Sequence, residues 1–463
     1  MKKTLSLAAM LALACGFAAE AQTISDADIR QMRDSFQRDN ATVAAQNALT
    51  STANIQSLVR NHELDGKIDH YFKYRVDVQG SITDQKQSGR CWMFTSMNVL
   101  RPAVMKRYGL ADFDFSHSYL YFWDILEKSN LFLENVIATA SRDMDDREVA
   151  RYFSAPVDDG GVWNLYYNLG IKYGVVPATV MPETPHSENT AQMMALIKEK
   201  LRREGYALRQ AVNAAKGKRT KAVEQQKAAA LNDIYRMLAL CLGEPPVEFE
   251  WRYRTQDGEV VSKHYTPQEF YAEITPDDYS PENYVMIMND PTREYYKLYE
   301  IANYRNTVEG VNWVYLNLPN EVIKQAALAS IKHNEAMYAS CDVNKYLDRV
   351  AGLMDPSLYD YEALFGVELS MDKKARILTR QSGSSHAMTL IGVDTDENDV
   401  PVKWEFENSW GPQYGNHGYL TFTDDWFDEY MFRLVVHKKY LDQKSVEALD
   451  QEPVQLPVWD YMF

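Results

Sequence analysis

Gln85, Cys91, His386 and Asn408 are residues of the types an acyl-transferring thiol site needs. A cysteine attacks as its thiolate, so it requires a lowered pKa and an exposed sulfur. Cys91 sits where the Ser88-Gly89-Arg90 turn enters an apolar run. A helix starting there would offer its oriented N–H groups and positive dipole end to a thiolate. Such a site also needs an imidazole partner, a group orienting that imidazole, and donors for the developing oxyanion. His386 opens an apolar strand pattern after Ser382-Gly383-Ser384-Ser385, so a loop can hold it at a cleft edge. Asn408 ends a neighbouring pattern, in Glu407-Asn408-Ser409-Trp410-Gly411, and Gln85 precedes Cys91 by six residues. Taken singly, each has a plainer reading: a buried thiol, a satisfied core histidine, an ordinary amide. Their value lies in the set.

The elements that must position them follow from periodicity. Trp92, Phe94, Met97, Val99, Leu100, Val104 and Met105 predict a helix buried on most sides and stopped at Gly109. Helical patterns continue over 116–139 and from Trp163 to Tyr173, before Gly174, and Asp158-Asp159-Gly160-Gly161 is a turn between them. Residues 188–240 read as a long helical stretch broken at Gly205 and Gly217. Alternation around Asp257-Gly258 predicts a hairpin, followed by a short helix capped by Thr266 with Pro267 at its first position. A helix over 319–332 precedes a buried strand over 336–343. Beyond 380 the texture is β, with strands at 386–393, 402–409, 419–423 and 431–437, and the tail from 441 to 463 reads as extended.

The chain has 463 residues, of which 46% are hydrophobic and 25% charged, so it can bury a sizeable core. Its net charge of −16 repels nucleic acid and anionic lipid overall. Residues 198–227 run against that balance, with ten Lys/Arg and three Asp/Glu, as a solvated helix face or a basic wall for anionic partners. Four cysteines exclude a disulfide scaffold, and the histidines show no HExxH or CxxC spacing, so no metal and no cofactor are expected. Residues 1–21 carry Lys2 and Lys3, an apolar run and Ala19-Glu20-Ala21, the pattern of a signal peptide. Export to the periplasm or exterior is expected, with lipid attachment at Cys15 as a minor alternative. No stretch is long and apolar enough to be read as a transmembrane segment.

The order Gln-x5-Cys-Trp, then a His before an apolar strand, then Asn-Ser-Trp-Gly resembles the papain-like cysteine peptidases. The blocks DQKQSGRCWMF, DDGGVWNLYYNLGIKYGVVP, SSHAMTLIGV, WEFENSWGPQYGNHGYL and LPVWDYMF resemble one branch, the bleomycin hydrolase / aminopeptidase C family, over roughly residues 65–463. The resemblance implies that Cys91 is the nucleophile, His386 the base, Asn408 the residue fixing the imidazole, and Gln85 an oxyanion donor with the Cys91 N–H. It makes Trp92 and Trp410 supporting residues, Trp410 shielding the Asn–His hydrogen bond. Gly160 and Gly161 match glycines along which an extended substrate lies, and Phe463 would bring the terminal carboxylate to the substrate's amine. It further implies ring-shaped homohexamers built through an insertion. Two departures stand out: an export signal precedes a match whose family usually works in the cytosol, and the tail ends about three residues short of the family's usual end.

The expected fold is α+β: a papain-like, two-lobed enzyme with a helical lobe, an antiparallel β lobe and a large helical and hairpin insertion. Its parts would be a signal peptide (1–21), an N-terminal arm (22–64), a helical catalytic lobe (65–186), an inserted hook region (187–340), a β-rich catalytic lobe (341–440) and a C-terminal arm reaching the cleft (441–463). The expected function is an aminopeptidase acting on peptides with free N-termini through an acyl-enzyme. The alternatives are a dipeptide-releasing or endo-acting peptidase, suggested by the short tail, and a non-catalytic ring that binds peptide or nucleic acid.

Overall fold

The computed structural model describes residues 23–77 and 80–461. The expected signal peptide, Cys15 and Phe463 lie outside the described residues. The chain divides into two compact units. The first comprises the described residues up to Arg60 together with Tyr361–Val367. Its helices Asp26–Ser35, Asn40–Ser51 and Ile55–Val59 are each capped by a polar side chain, from Ser25, Asp39 and Asn54 respectively.

The second unit holds a twelve-stranded mixed sheet among the described residues. Its centre runs, in spatial order, Tyr284–Met288, Met431–His437, Met337–Cys341, His386–Thr395, Pro401–Glu407 and Tyr419–Thr423, all antiparallel neighbours. Both faces of these strands are covered. Tyr338, Ala387, Met286 and Val435 pack towards the helices. Met337, Ala339, Cys341, Met388 and Leu434 pack on the other side, with Ile323, Ala327, Trp426 and Phe427. This two-residue alternation explains why the strands read as continuous apolar runs.

On the first face lies the Cys91–Tyr108 helix, packed against the His386–Thr395 strand. It ends as expected at Gly109, whose φ of +61° is the left-handed cap that glycine favours. The helix His117–Ala138 is capped by Ser116 Oγ and carries Ala191–Ala214 and Lys221–Leu242 against it. Gly205 does not break the first of these two helices, contrary to the sequence reading. A Cβ there would lie 2.8 Å from the Phe132 ring, so glycine serves close packing in mid-helix. Gly217, with φ +77°, does make the turn. The hairpin appears as Phe249–Arg254 and Val260–Tyr265, and Thr266 caps Pro267–Ile274 in a capping box.

Two further points differ from the sequence pattern. Within 187–340, the strands Tyr284–Met288, Lys297–Ile301, Val314–Asn317 and Met337–Cys341 join the large sheet beside the helices and hairpin. The tail is not wholly extended: Asp442 caps a helix over Gln443–Ala448 before Val454–Leu456 pairs in parallel with Lys297–Ile301. Much of the 198–227 charge is locally matched, through Lys200 with Asp233, Arg219 and Lys227 with Glu134, and Arg209 buried on the Thr139 carbonyl.

Candidate active site

Cys91, His386, Gln85, Gly160 and Gly161 all line one cleft of about 460 Å³ between the helices and the sheet. Asn408 lies behind it, bonded to His386. The sulfur stands at the first residue of its helix, and Arg90 supplies no side-chain cap. Met93 N and Phe94 N donate to the Arg90 carbonyl, which leaves the N–H groups of Cys91 and Trp92 to the cleft and to the sulfur itself. Burial pushes the Cys91 thiol up to about 11, while the amides of Ala387 and Trp92 pull it the other way. For the thiol taken alone, desolvation outweighs these backbone hydrogen bonds.

His386 is buried at the start of its strand, and its Nε2 lies 2.8 Å from Asn408 Oδ1. The same oxygen accepts the Ser409 backbone N–H at 2.8 Å, which identifies it as the carbonyl end of the amide. Nε2 must therefore carry the proton, leaving Nδ1 as the nitrogen able to take one. Burial pulls the imidazole down to about 4, against the Asn408 hydrogen bond, and the charge of Arg349 adds to the drop. Taken alone, both groups are neutral at pH 7. A charged state is reached by moving the thiol proton to the imidazole, which creates both charges together and lets each compensate the other's desolvation.

Trp410 covers this pair: its ring centre is 4.8 Å from that of His386, with planes 30° apart. Gln85 is held at both ends of its amide. Its Oε1 accepts from Ser409 Oγ at 2.7 Å and its Nε2 donates to the Ser88 carbonyl at 2.7 Å. That leaves the second N–H of the amide for an acceptor in the cleft.

The two glycines differ in what they do. A Cβ on Gly161 would lie 2.6 Å from Trp92 Cε2 and 2.8 Å from Leu165 Cδ1, so the Trp92 indole requires its absence. A Cβ on Gly160 would meet only Asp158 Oδ1, at 3.4 Å, so its bare backbone is open to the cleft. Sequence reasoning missed how this segment is tied down. Lys128 Nζ donates to the carbonyls of Gly160, at 2.6 Å, and Asp158, at 3.0 Å, while paired with buried Asp124 at 2.7 Å. Trp92 Nε1 donates to the Asp159 carbonyl at 2.9 Å, and the Asp159 carboxylate accepts from Gly89 N and Thr190 Oγ1. The i, i+4 spacing of Asp124 and Lys128 was readable; their target 30 residues away was not.

The C-terminal arm is anchored by Arg293 on Asp460, by Thr292 on Tyr461 and by Arg147 over the Trp459 ring. Val458 lines a cavity that shares Arg151, Asp158, Gly160 and Tyr304 with the cleft, so the arm runs beside it.

This arrangement has counterparts. Residues 23–463 match the model of the Peptidase C1-like family. The chain is 40% identical over 401 residues to aminopeptidase G of Lactobacillus delbrueckii subsp. lactis, covering 86% of this chain and 90% of that one. It is 37% identical over 440 residues to bleomycin hydrolase of Mus musculus, covering 92% and 94%. The crystal structure of PepW from Lactobacillus rhamnosis HN001 (DR20) superposes with a TM-score of 0.90 at 34% identity, covering 95% of this chain and 98% of that one. The fold is thus the α+β papain-like one, and the chain belongs to the Peptidase C1-like family.

Proposed function

We propose that this protein is a cysteine aminopeptidase that hydrolyses peptide bonds next to free N-termini. The observation that carries the reading is His386, fixed by Asn408 and covered by Trp410, lining one cleft with Cys91 in a member of a peptidase family. Cys91 passes its proton to His386 Nδ1 and its sulfur attacks the scissile carbonyl. The oxyanion is met by the Cys91 N–H and the remaining N–H of Gln85. His386 then gives the proton to the leaving amine, and water, activated by the same imidazole, resolves the acyl-enzyme. Substrate lies along the open backbone of Gly160, and the C-terminal arm, which runs beside the cleft at Val458, bounds it on the side of the free amine. Relatives named aminopeptidase support the exo-acting reading.

Export through residues 1–21 and assembly into a homohexamer belong to the same reading. The first is supported by the leader-like sequence and the second by the family resemblance alone. No helix among the described residues is long and apolar enough to cross a membrane.

The test uses residues 22–463 with one peptide in free-amine and N-acetylated forms, products being read by mass spectrometry. Stepwise loss from the free-amine peptide alone supports the reading, and the step size separates single-residue from dipeptide release. Internal cleavage of the acetylated form would replace it with an endopeptidase.

A further inference from the structure

A second groove lies beside residues 84–87 and Trp410. It is lined by Asp84, Lys86, Glu188, Arg349, Trp410 and Tyr414, among others. Trp410, whose indole covers His386, is one of its lining residues. The exposed Arg349 guanidinium sits 4.4 Å from the centre of that indole and 5.3 Å from that of Tyr414. Its backbone is pinned too: Gly415 N donates to the Arg349 carbonyl at 3.0 Å, and Asp348 Oδ1 accepts from Val350 and Ala351 N. Together the two ring separations put the guanidinium within about 9 Å of the His386 ring.

That distance has a chemical meaning on the leaving-group side. His386 protonates the departing amine, so the amine nitrogen stands at hydrogen-bond distance from the ring. An extended chain advances about 3.3–3.6 Å per residue. A carboxylate one or two residues beyond the scissile bond therefore falls where a guanidinium can take it with two parallel N–H donors. The other cation of the groove, Lys86, is already paired with Asp84 at 2.7 Å. Glu188 balances the remaining charge, so selection rests on position rather than on a general field.

We propose that the Arg349 groove is the leaving-group subsite and that Arg349 binds the C-terminal carboxylate of short peptides, making di- and tripeptides the preferred substrates. This rests on the aminopeptidase reading above and names its substrate class. Arg349 is a specificity residue in it, acting on substrate and not on the reacting atoms.

The test compares kcat/KM for alanyl-leucine and its C-terminal amide within each of three enzymes: wild type, Arg349→Gln and Arg349→Lys. The acid-to-amide ratio cancels any change that the substitution makes in basal rate through Trp410. The expected ratio is about five in the wild type, as for a solvent-exposed charged pair. It falls to about one in Arg349→Gln, stays above one in Arg349→Lys, and shrinks in high salt. A ratio near one in the wild type, or an unchanged ratio in Arg349→Gln, overturns the subsite while leaving the aminopeptidase reading intact. Wild-type enzyme that hydrolyses neither compound but shortens a longer free-amine peptide overturns the subsite alone; enzyme that shortens no free-amine peptide overturns that reading and the subsite with it.

Discussion

Arg101, on the helix that begins at Cys91, and Glu407, the residue before Asn408, form an ion pair of 2.7 Å with both side chains at most 2% exposed. It joins the helix carrying the thiol to the strand carrying the amide. Burial raises the Glu407 carboxyl pKa, against the pull of Arg101, so the pair is held in a setting that penalises either charge alone. Removing one partner of such a pair strands the other and costs about 3–5 kcal/mol. Arg101→Met should therefore lower stability by about that much in denaturant unfolding. The double variant Arg101→Met/Glu407→Leu should recover most of it, because no buried charge remains.

The acid limb of activity should lie near pH 4. Below that point His386 is protonated and cannot take the Cys91 proton; above it the pair holds one proton, up to about pH 11 where the thiol ionises by itself. Burial under Trp410 is the main cause of the low value for His386. Trp410→Ala lets water reach the ring, so the imidazole pKa rises towards 6.5 and the acid limb of kcat/KM moves up with it. A limb that stays put or moves down would contradict this.

Asn408 holds the tautomer as well as the ring. In Asn408→Ala, His386 Nε2 loses its acceptor and the proton is free to sit on either nitrogen. Positioned acid–base catalysis contributes about 10²–10⁴-fold, so kcat should fall by about 10² with KM little changed. Steady-state kinetics on one substrate reads this split.

The adjacent glycines should respond oppositely to alanine. Gly161→Ala drives a methyl into Trp92 and Leu165, an overpacking that costs about 1–3 kcal/mol and should appear as a lower Tm. Gly160→Ala meets nothing closer than 3.4 Å, so Tm should hold while KM rises as the methyl enters the cleft.

What the sequence made legible was local. The helix from Cys91 to Gly109, the hairpin at Asp257-Gly258 and the Thr266 cap all follow from patterns within a few residues. The set of Gln85, Cys91, His386 and Asn408 was legible because their spacing and flanks resemble a family, and the fold brings the first three to one cleft with Asn408 bonded behind. What stayed hidden depends on partners far along the chain. Lys128 beneath Gly160, Arg101 on Glu407 and Arg349 on Trp410 join segments that no periodicity links. Gly205 misled because a helix breaker and a close-packing residue are the same letter. The burial of the Cys91 sulfur also stayed hidden, because a helix start is visible in sequence and desolvation is not.

The most direct measurement is alkylation of residues 22–463 with one equivalent of iodoacetamide under reducing conditions, the modified residue being mapped by mass spectrometry. Three cysteines compete: Cys91 in the cleft, half-buried Cys241 and fully buried Cys341. The account predicts that the label falls on Cys91, that peptidase activity is lost in proportion, and that a slow substrate protects both. Activity that survives full modification of Cys91, or inactivation that follows labelling of Cys241, would contradict it.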